Sequence, residues 1–284
     1  MVESADGFRF FFLADTQLGC YATFSGFTDE QVEQYAAMGM KVEPVPKVEG
    51  FAWDADRYRE AVSIINAAGP AMVVIGGDMI DDANSEDQTD EFFAITSQID
   101  DDIPIRWVPG NHDIASDALV PTAESIRAYR DVFGPDYYSF RMSDTLFVAL
   151  NTTVIDHPEN VLDEWGAQLG FLEDELAVAG RSGIDQVIVL GHHPLFIDRA
   201  DEPDTYWNLP LERRRILLDL FGRTRVELGF AGHWHRNAIG SDDGFTQVIS
   251  GPVGYPLGDD PSGYRVVDVS GDAITHHYVA LEAE

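Results

Sequence analysis

Short apolar runs recur along the chain at 8 to 14 (FRFFFLA), 71 to 75 (AMVVI), 105 to 108 (IRWV), 145 to 150 (TLFVAL), 187 to 190 (VIVL) and 226 to 231 (VELGFA). Their length and their β-branched and aromatic residues predict buried strands. Between them, apolar positions fall at helical spacing over 54 to 68, 86 to 99, 122 to 133, 163 to 179 and 210 to 221. Ser85 and Thr122 stand where N-caps are expected, and Pro210 suits a first turn. This alternation predicts an α/β chain. After about residue 244 the helical spacing stops, and three β-like runs follow at 245 to 250, 264 to 269 and 273 to 280, expected to complete a second sheet. No Ser/Gly-rich linker, repeat or change of composition divides the chain. The expectation is one domain over 1 to 284, its core about 8 to 281: a four-layer α-β-β-α sandwich of two packed mixed sheets with helices outside.

The longest excursion from the pattern is 20 to 53, with a short helical stretch near 28 to 38 and the extended VEPVPKVEG. It follows the first strand directly, so it is expected to hang over that strand's carboxyl end, where α/β proteins place ligands. A plain surface insertion is the alternative.

Five polar clusters stand at the ends of five of these strands: Asp15 with Gln17, GGD at 76 to 78, GNHD at 110 to 113, GHHP at 191 to 194 and GHWH at 232 to 235. Strands that share an edge bring their carboxyl ends together, so these clusters are expected to converge on one patch of Asp, Asn and His, the donor types of a metal site. Of the eight histidines, five (His112, His192, His193, His233, His235) fall in the clusters and three (His157, His276, His277) do not. Any one cluster alone would be weak evidence; all of them in this order are not.

The ordered motifs resemble those of the calcineurin-like metallophosphoesterases: DxH, GD, GNHD, GHxP and GHxH. The likeness spans nearly the whole chain. It is greatest to the cytosolic serine/threonine-phosphatase-like branch, in which Gln replaces the first His, as in ADTQLG at 14 to 19. Further similar stretches are PTAES at 121 to 125, YYSF at 137 to 140, YWNL at 206 to 209 and GHWHRN at 232 to 237. The resemblance implies two divalent metal ions, with Asp15, Asp78 and His235 holding one, Asp78, Asn111, His192 and His233 the other, and Asp78 shared. Such a pair clamps a phosphoryl group and acidifies a bound water that attacks phosphorus in line. Gln17 supplies an amide oxygen in place of an imidazole, directly or through water. Losing a nitrogen donor shifts preference from zinc or iron towards manganese or magnesium.

His112 is the expected general acid, assisting the leaving group, with Asp113 orienting its ring; a cap is the alternative for Asp113. His193 is read as support for the neighbouring ligand or as a phosphate contact, Arg236 as a bidentate phosphate holder or an exposed surface residue, and Asn208 with Tyr206 and Trp207 as a substrate wall, with core packing the alternative for the two aromatics. Asp81, three residues past Asp78, is expected to support the site indirectly. The function implied is a binuclear phosphomonoesterase acting on a phosphorylated small molecule or phosphoprotein. A phosphodiesterase for cyclic nucleotides or other small diesters uses the same ligands, and a catalytically silent metal-binding scaffold is the reading from another class.

Composition narrows the setting. A chain of 284 residues with 45% hydrophobic content buries a full core, and 50 acidic against 18 basic residues give a net charge of −32, which speaks against nucleic acid as a partner. Only Lys41 and Lys47 are lysines. An acidic shell so poor in Lys is expected of a halophilic protein, whose salt screens the self-repulsion. Cys20, the only cysteine, excludes an internal disulfide and a thiolate cluster. With MVESADG unlike a signal peptide and no run near ~20 apolar residues, the expected location is cytoplasmic, away from membrane. The oligomeric state has no signature.

Overall fold

The computed structural model describes residues 7 to 115, 120 to 184, 186 to 271 and 273 to 282. Eleven strands occur among these residues: β1 Phe8–Leu13, β2 Met72–Ile75, β3 Ile105–Trp107, β4 Tyr138–Met142, β5 Thr145–Ala149, β6 Gln186–Leu190, β7 Leu228–Ala231, β8 Ala238–Asp242, β9 Phe245–Ile249, β10 Gly263–Ser270 and β11 Ala273–Ala280. The longer helices are α3 Ala52–Ala68, α4 Glu86–Thr96, α6 Ala123–Phe133, α8 Leu162–Ser182 and α9 Leu211–Thr224, with α1 Cys20–Thr23, α2 Asp29–Ala37, α5 Asn111–Ile114 and α7 Thr152–Asp156 between them. Ser85 and Thr122 cap α4 and α6 as expected, each accepting from the backbone N–H three residues on, and Pro210 immediately precedes α9.

The strands form two mixed sheets, ordered β11-β10-β1-β2-β3 and β4-β5-β6-β7-β9-β8. In the first, β1, β2 and β3 run parallel; in the second, β5, β6, β7 and β9 do. Period-two alternation makes the layers. Phe10 and Phe12 of β1 face inward with Phe147 and Phe230 of the other sheet, while Phe11 and Leu13 face outward onto Tyr58 and Ile65 of α3. Leu146 and Val148 likewise turn outward onto Leu172 of α8 and Leu217 of α9. The four-layer α-β-β-α sandwich follows. Edge-on ring contacts at 5.5 Å (Phe10–Phe147) and 5.9 Å (Phe10–Phe230) tie the two sheets together, and each such buried phenyl stabilises by about 1.5–3 kcal/mol.

Two expectations need correction. Of the three C-terminal runs only β9 joins the second sheet. β10 pairs antiparallel with β1, Phe12 opposite Arg265, and β11 closes that first sheet's edge. With Val267 and Val269 on the inner face and Tyr264 and Val266 on the outer, β10 is apolar on both sides and fits the interior place beside β1. β4 and β8, both edges, are missing from the expected strands: β4 carries only a short alternation, with Tyr138, Phe140 and Met142 inward and Ser139 and Arg141 outward, and β8 is polar and mostly exposed.

The segment 20 to 53 folds against the loop that precedes β10. Lys41 N–H donates to the Leu257 carbonyl at 2.9 Å and Glu43 N–H to the Tyr255 hydroxyl at 3.0 Å. Cys20, Met40, Val42, Tyr255 and Leu257 form a small apolar cluster of their own. No described helix is long and apolar enough to cross a membrane.

Candidate metal centre

The five clusters meet as the parallel strands require. Backbone bonds from Asp15 N–H to the Gly77 carbonyl (3.1 Å) and from Gln17 N–H to the Asp78 carbonyl (2.8 Å) zip the turn after β1 onto the turn after β2. β3 delivers Asn111 and His112, β6 delivers His192, and β7 delivers His233 and His235. The backbone is bent to aim them. Of the eight non-glycine residues with positive φ among the described residues, five are Asp15, Gln17, Asp78, His233 and His235. Asp, Asn and His tolerate this left-handed region better than other side chains. The glycine of GNHD is needed for approach: a Cβ at Gly110 would lie 2.1 Å from Asp78 Oδ1 and 2.2 Å from its backbone N.

Asp15, Gln17, Asp78, Asn111, His192, His233 and His235 are all buried. Ligating atoms of Asp78, His192 and His233 lie within 4.8 Å of one another. His235 Nε2 stands 3.4 Å, and His192 Nε2 4.0 Å, from Asp15 Oδ1. Each imidazole is oriented by its other nitrogen: His192 Nδ1 meets the Gly76 carbonyl at 2.9 Å, His235 Nδ1 the Tyr255 carbonyl at 2.6 Å, and His233 Nε2 the Tyr206 carbonyl at 2.9 Å. A carbonyl accepts only from N–H, so these bonds fix which nitrogen of each ring carries the proton when the ring is neutral and turn the other nitrogen towards the carboxylates.

Unpartnered atoms mark the same place. Gln17 Oε1, Asn111 Oδ1 and His192 Nε2 are buried without a hydrogen bond; His192 Nε2 lies 3.1 Å from Asp78 Oδ2 but out of bonding geometry. A buried polar atom left unpaired costs about 1–3 kcal/mol, and here several oxygen and imidazole donors surround two carboxylates. The residues fit a pair of divalent cations. Gln17 is held with its oxygen inward because its Nε2 donates to Asp81 Oδ1 at 3.0 Å.

The electrostatics agree. Burial favours the neutral form of Asp78, but His192, His112 and His233 outweigh it and hold the carboxyl well below the usual range. His192 is raised to about 9: burial works against its charge, and Asp78 prevails. Burial, aided by His192, pushes His233 down to about 3 and His193 well below its ordinary value, so both rings are neutral. For His112, Asp78 and Asp81 overcome the effect of burial and raise it, favouring the protonated form.

His112 reaches the site as expected, partly exposed, with Nδ1 bound to the Asp81 carbonyl at 2.7 Å. The ring-orienting role expected of Asp113 belongs to Asp81. Asp113 instead accepts from Gly110 N–H (2.8 Å) and Met79 N–H (2.8 Å), pinning the GNHD turn to the GD turn; burial, and then repulsion from Asp78, raise it to about 7. Arg236 and Asn208, expected to contact substrate, are engaged elsewhere, and His193 takes the supporting place that was its first reading. Arg236 spends its Nε on the Leu257 carbonyl at 2.9 Å and its Nη2 on the Gly39 carbonyl, strapping the insertion to the loop before β10. Asn208 is buried and bonded to Thr205, Glu202 and Pro203. His193 lies behind His233, ring centroids 4.2 Å apart, with Nδ1 3.0 Å from the Thr152 hydroxyl.

Thr152 has no counterpart in the sequence reading. Its oxygen accepts from the N–H groups of His192 (3.1 Å) and His193 (2.9 Å), and its only signal is the NTT that follows the fifth strand's apolar run. Over the centre opens a cavity of about 660 Å³, floored by Gln17, Asp78, Asp81, His112, His233 and His235. Tyr206 and Trp207 wall it after all, with Phe24, Tyr35, Met38 and Met40 from the insertion.

A buried metal-competent group of Asp78, His192 and His233, with Asp15 and His235 beside it, stands at the strand ends of a two-sheet α/β sandwich, and the chain belongs to the calcineurin-like phosphoesterase family, whose profile matches residues 8–237. It is a metallophosphoesterase, a hydrolase of phosphoric esters, and the family implies two divalent ions. Among curated relatives, the human serine/threonine-protein phosphatase CPPED1 is 35% identical over 242 residues, covering 82% of this chain and 76% of that protein; the Danio rerio protein of the same name is 33% identical, with 82% and 77% covered. Among solved structures, a dimetal phosphatase from Danio rerio superposes with a TM-score of 0.62 at 16% identity, covering 96% of both chains. Purple acid phosphatase PPD1 from yellow lupin gives 0.63 at 15% identity, covering 96% of this chain and 51% of that one. Both structures share the fold.

Proposed function

We propose that this chain is a phosphomonoesterase of the serine/threonine-phosphatase kind, working with two divalent cations, manganese foremost. Asp15, Gln17, Asp78 and His235 would hold one cation, and Asp78, Asn111, His192 and His233 the other. Three buried atoms without a hydrogen bond, Gln17 Oε1, Asn111 Oδ1 and His192 Nε2, the last 3.1 Å from Asp78 Oδ2, carry the reading. A bound pair neutralises phosphoryl charge and acidifies water. The chain's own residues do the rest. Backbone carbonyls hold the imidazoles in the ligating tautomer, the His112 N–H fixes Asp78 Oδ1 at 2.9 Å, and the His112 ring donates its proton to the departing oxygen at the cavity floor. The identity to relatives named serine/threonine-protein phosphatases supports a phosphorylated serine or threonine as substrate. The ratio of 50 acidic to 18 basic residues supports work in concentrated salt.

The test compares p-nitrophenyl phosphate with bis(p-nitrophenyl) phosphate in molar KCl, with manganese, magnesium, zinc or chelator, for wild type, Asp78→Ala and His112→Ala, with metal content measured on each protein. Manganese-dependent monoester hydrolysis that Asp78→Ala abolishes together with bound metal is the expected result. Diester preference, or turnover indifferent to chelator, overturns the proposal.

A further inference from the structure

The floor of the 660 Å³ cavity is polar and its walls are not. Phe24, Tyr35, Met38, Met40, Trp207 and Leu257 line the cavity. Among the described residues no lysine or arginine lines it. Arg236, the cation nearest in sequence to the ligands, is consumed by two backbone carbonyls. Of seven exposed large apolar side chains among the described residues, two, Met38 at 56% and Tyr206 at 48%, stand at this rim. On a chain with a net charge of −32, such lips leave apolar surface in water where acidic residues abound. The walls are also built in advance. Met40 N–H bonds the Tyr35 carbonyl at 2.9 Å and Lys41 N–H the Leu257 carbonyl at 2.9 Å, while Asn208 braces the loop carrying Tyr206 and Trp207. A rigid apolar slot beside the place where the ester bond breaks receives whatever is attached to the leaving oxygen.

Resting on the phosphomonoesterase reading, we infer that the enzyme selects monoesters whose leaving alcohol carries an uncharged apolar or aromatic body next to the ester oxygen, and discriminates against leaving groups bearing a second negative charge. The phosphoryl charge is met at the floor. Along the apolar walls no lysine or arginine among the described residues stands ready to pair with a further anion on the leaving group. A small alcohol and a phosphoserine with large apolar neighbours present the same chemistry.

The experiment measures kcat/KM in molar KCl with manganese for 2-phenylethyl, ethyl and 2-carboxyethyl phosphates, and for Leu-pSer-Leu, Ala-pSer-Ala and Glu-pSer-Glu peptides. The Ki of 2-phenylethylphosphonate against that of ethylphosphonate, with quenching of tryptophan fluorescence, reads binding without turnover. The phenylethyl ester is expected to exceed ethyl by at least about tenfold, as burial of an apolar group in a pocket gives, and carboxyethyl to fall below ethyl. Met38→Lys and Leu257→Lys, which each put an ammonium in the wall, are expected to compress the phenylethyl-to-carboxyethyl ratio by about tenfold or more. Preference among the peptides alone assigns the apolar body to a neighbouring residue; preference among the small esters alone assigns it to the alcohol. Equal kcat/KM within each series, with equal Ki for the two phosphonates, overturns the inference while the monoesterase activity stands. Failure of metal-loaded enzyme to turn over any monoester while it cleaves bis(p-nitrophenyl) phosphate overturns the monoesterase reading itself.

Discussion

Asp78→Asn is the most incisive perturbation, because the geometry lets the metal site be dismantled without dismantling the fold. The replacement amide keeps its oxygen where Asp78 Oδ1 accepts from His112 N–H at 2.9 Å, and places an NH₂ opposite His192 Nε2, 3.1 Å away. With the carboxylate gone, His192 loses the partner that chiefly raises it and becomes neutral, so no charge is left buried and unpaired, and the metal-free Tm is expected within about 3 °C of wild type. Metal is another matter. At a free concentration 100-fold above Kd, each bound ion stabilises the fold by about 2.7 kcal/mol, or about 5.4 kcal/mol for the pair. Unfolding entropy near 2.1 cal/mol/K per residue amounts to about 0.6 kcal/mol/K for 284 residues, which turns that gain into a rise in Tm of about 9 °C. Scanning calorimetry of both proteins in chelator and in excess manganese, at fixed KCl, is the assay. If Asp78 is shared by both ions as proposed, its loss removes nearly the whole rise. Retention of about half would show that Asp78 serves one ion only, and a wild-type Tm indifferent to manganese, magnesium and zinc would refute the metal centre.

Three further outcomes are expected. His112→Ala should lower kcat by about 10²–10⁴ on alkyl phosphates, and much less on p-nitrophenyl phosphate, whose leaving group needs no proton, with metal content unchanged by elemental analysis. Gly110→Ala should destabilise by about 3 kcal/mol or more, since its Cβ must displace Asp78; a denaturation midpoint within error of wild type would contradict the packing. Raising KCl from 0.1 to 2 M should raise the urea midpoint steadily, as the Debye length falls from about 10 Å to below about 3 Å around a net charge of −32, and a flat response would count against the halophilic reading.

What could be read from the sequence is what depends on short range. Asp15, GGD, GNHD, GHHP and GHWH stand at strand ends because the polar residues must follow the apolar run directly, and the glycines must sit where the backbone approaches a ligand; both are local demands. Sheet membership is not local. YRVVDV of β10 reads alike whether it closes one sheet or the other, and only pairing with β1, more than 250 residues away, decides. Arg236 shows the same limit at the level of a side chain. Its guanidinium looks suited to phosphate until the Gly39 carbonyl, 197 residues distant in sequence, claims it. Asp113 takes the capping role that was its alternative for a geometric reason: α5 turns its carboxylate back onto its own first turn, leaving the Asp81 carbonyl to face the His112 ring.

The left-handed backbone at Asp15, Asp78, His233 and His235 restricts more than the present ligands. The side chains that such a backbone accepts readily, Asn, Asp and His, are also those that bind hard and borderline cations. Exchanges within that alphabet can retune which metal the enzyme uses while the turns stay as they are, whereas a valine or isoleucine would strain the backbone before any question of coordination arose. If these residues hold the metals as proposed, the fold confines mutational drift at these positions to side chains that can still coordinate, and a lineage can change its metal without changing its architecture.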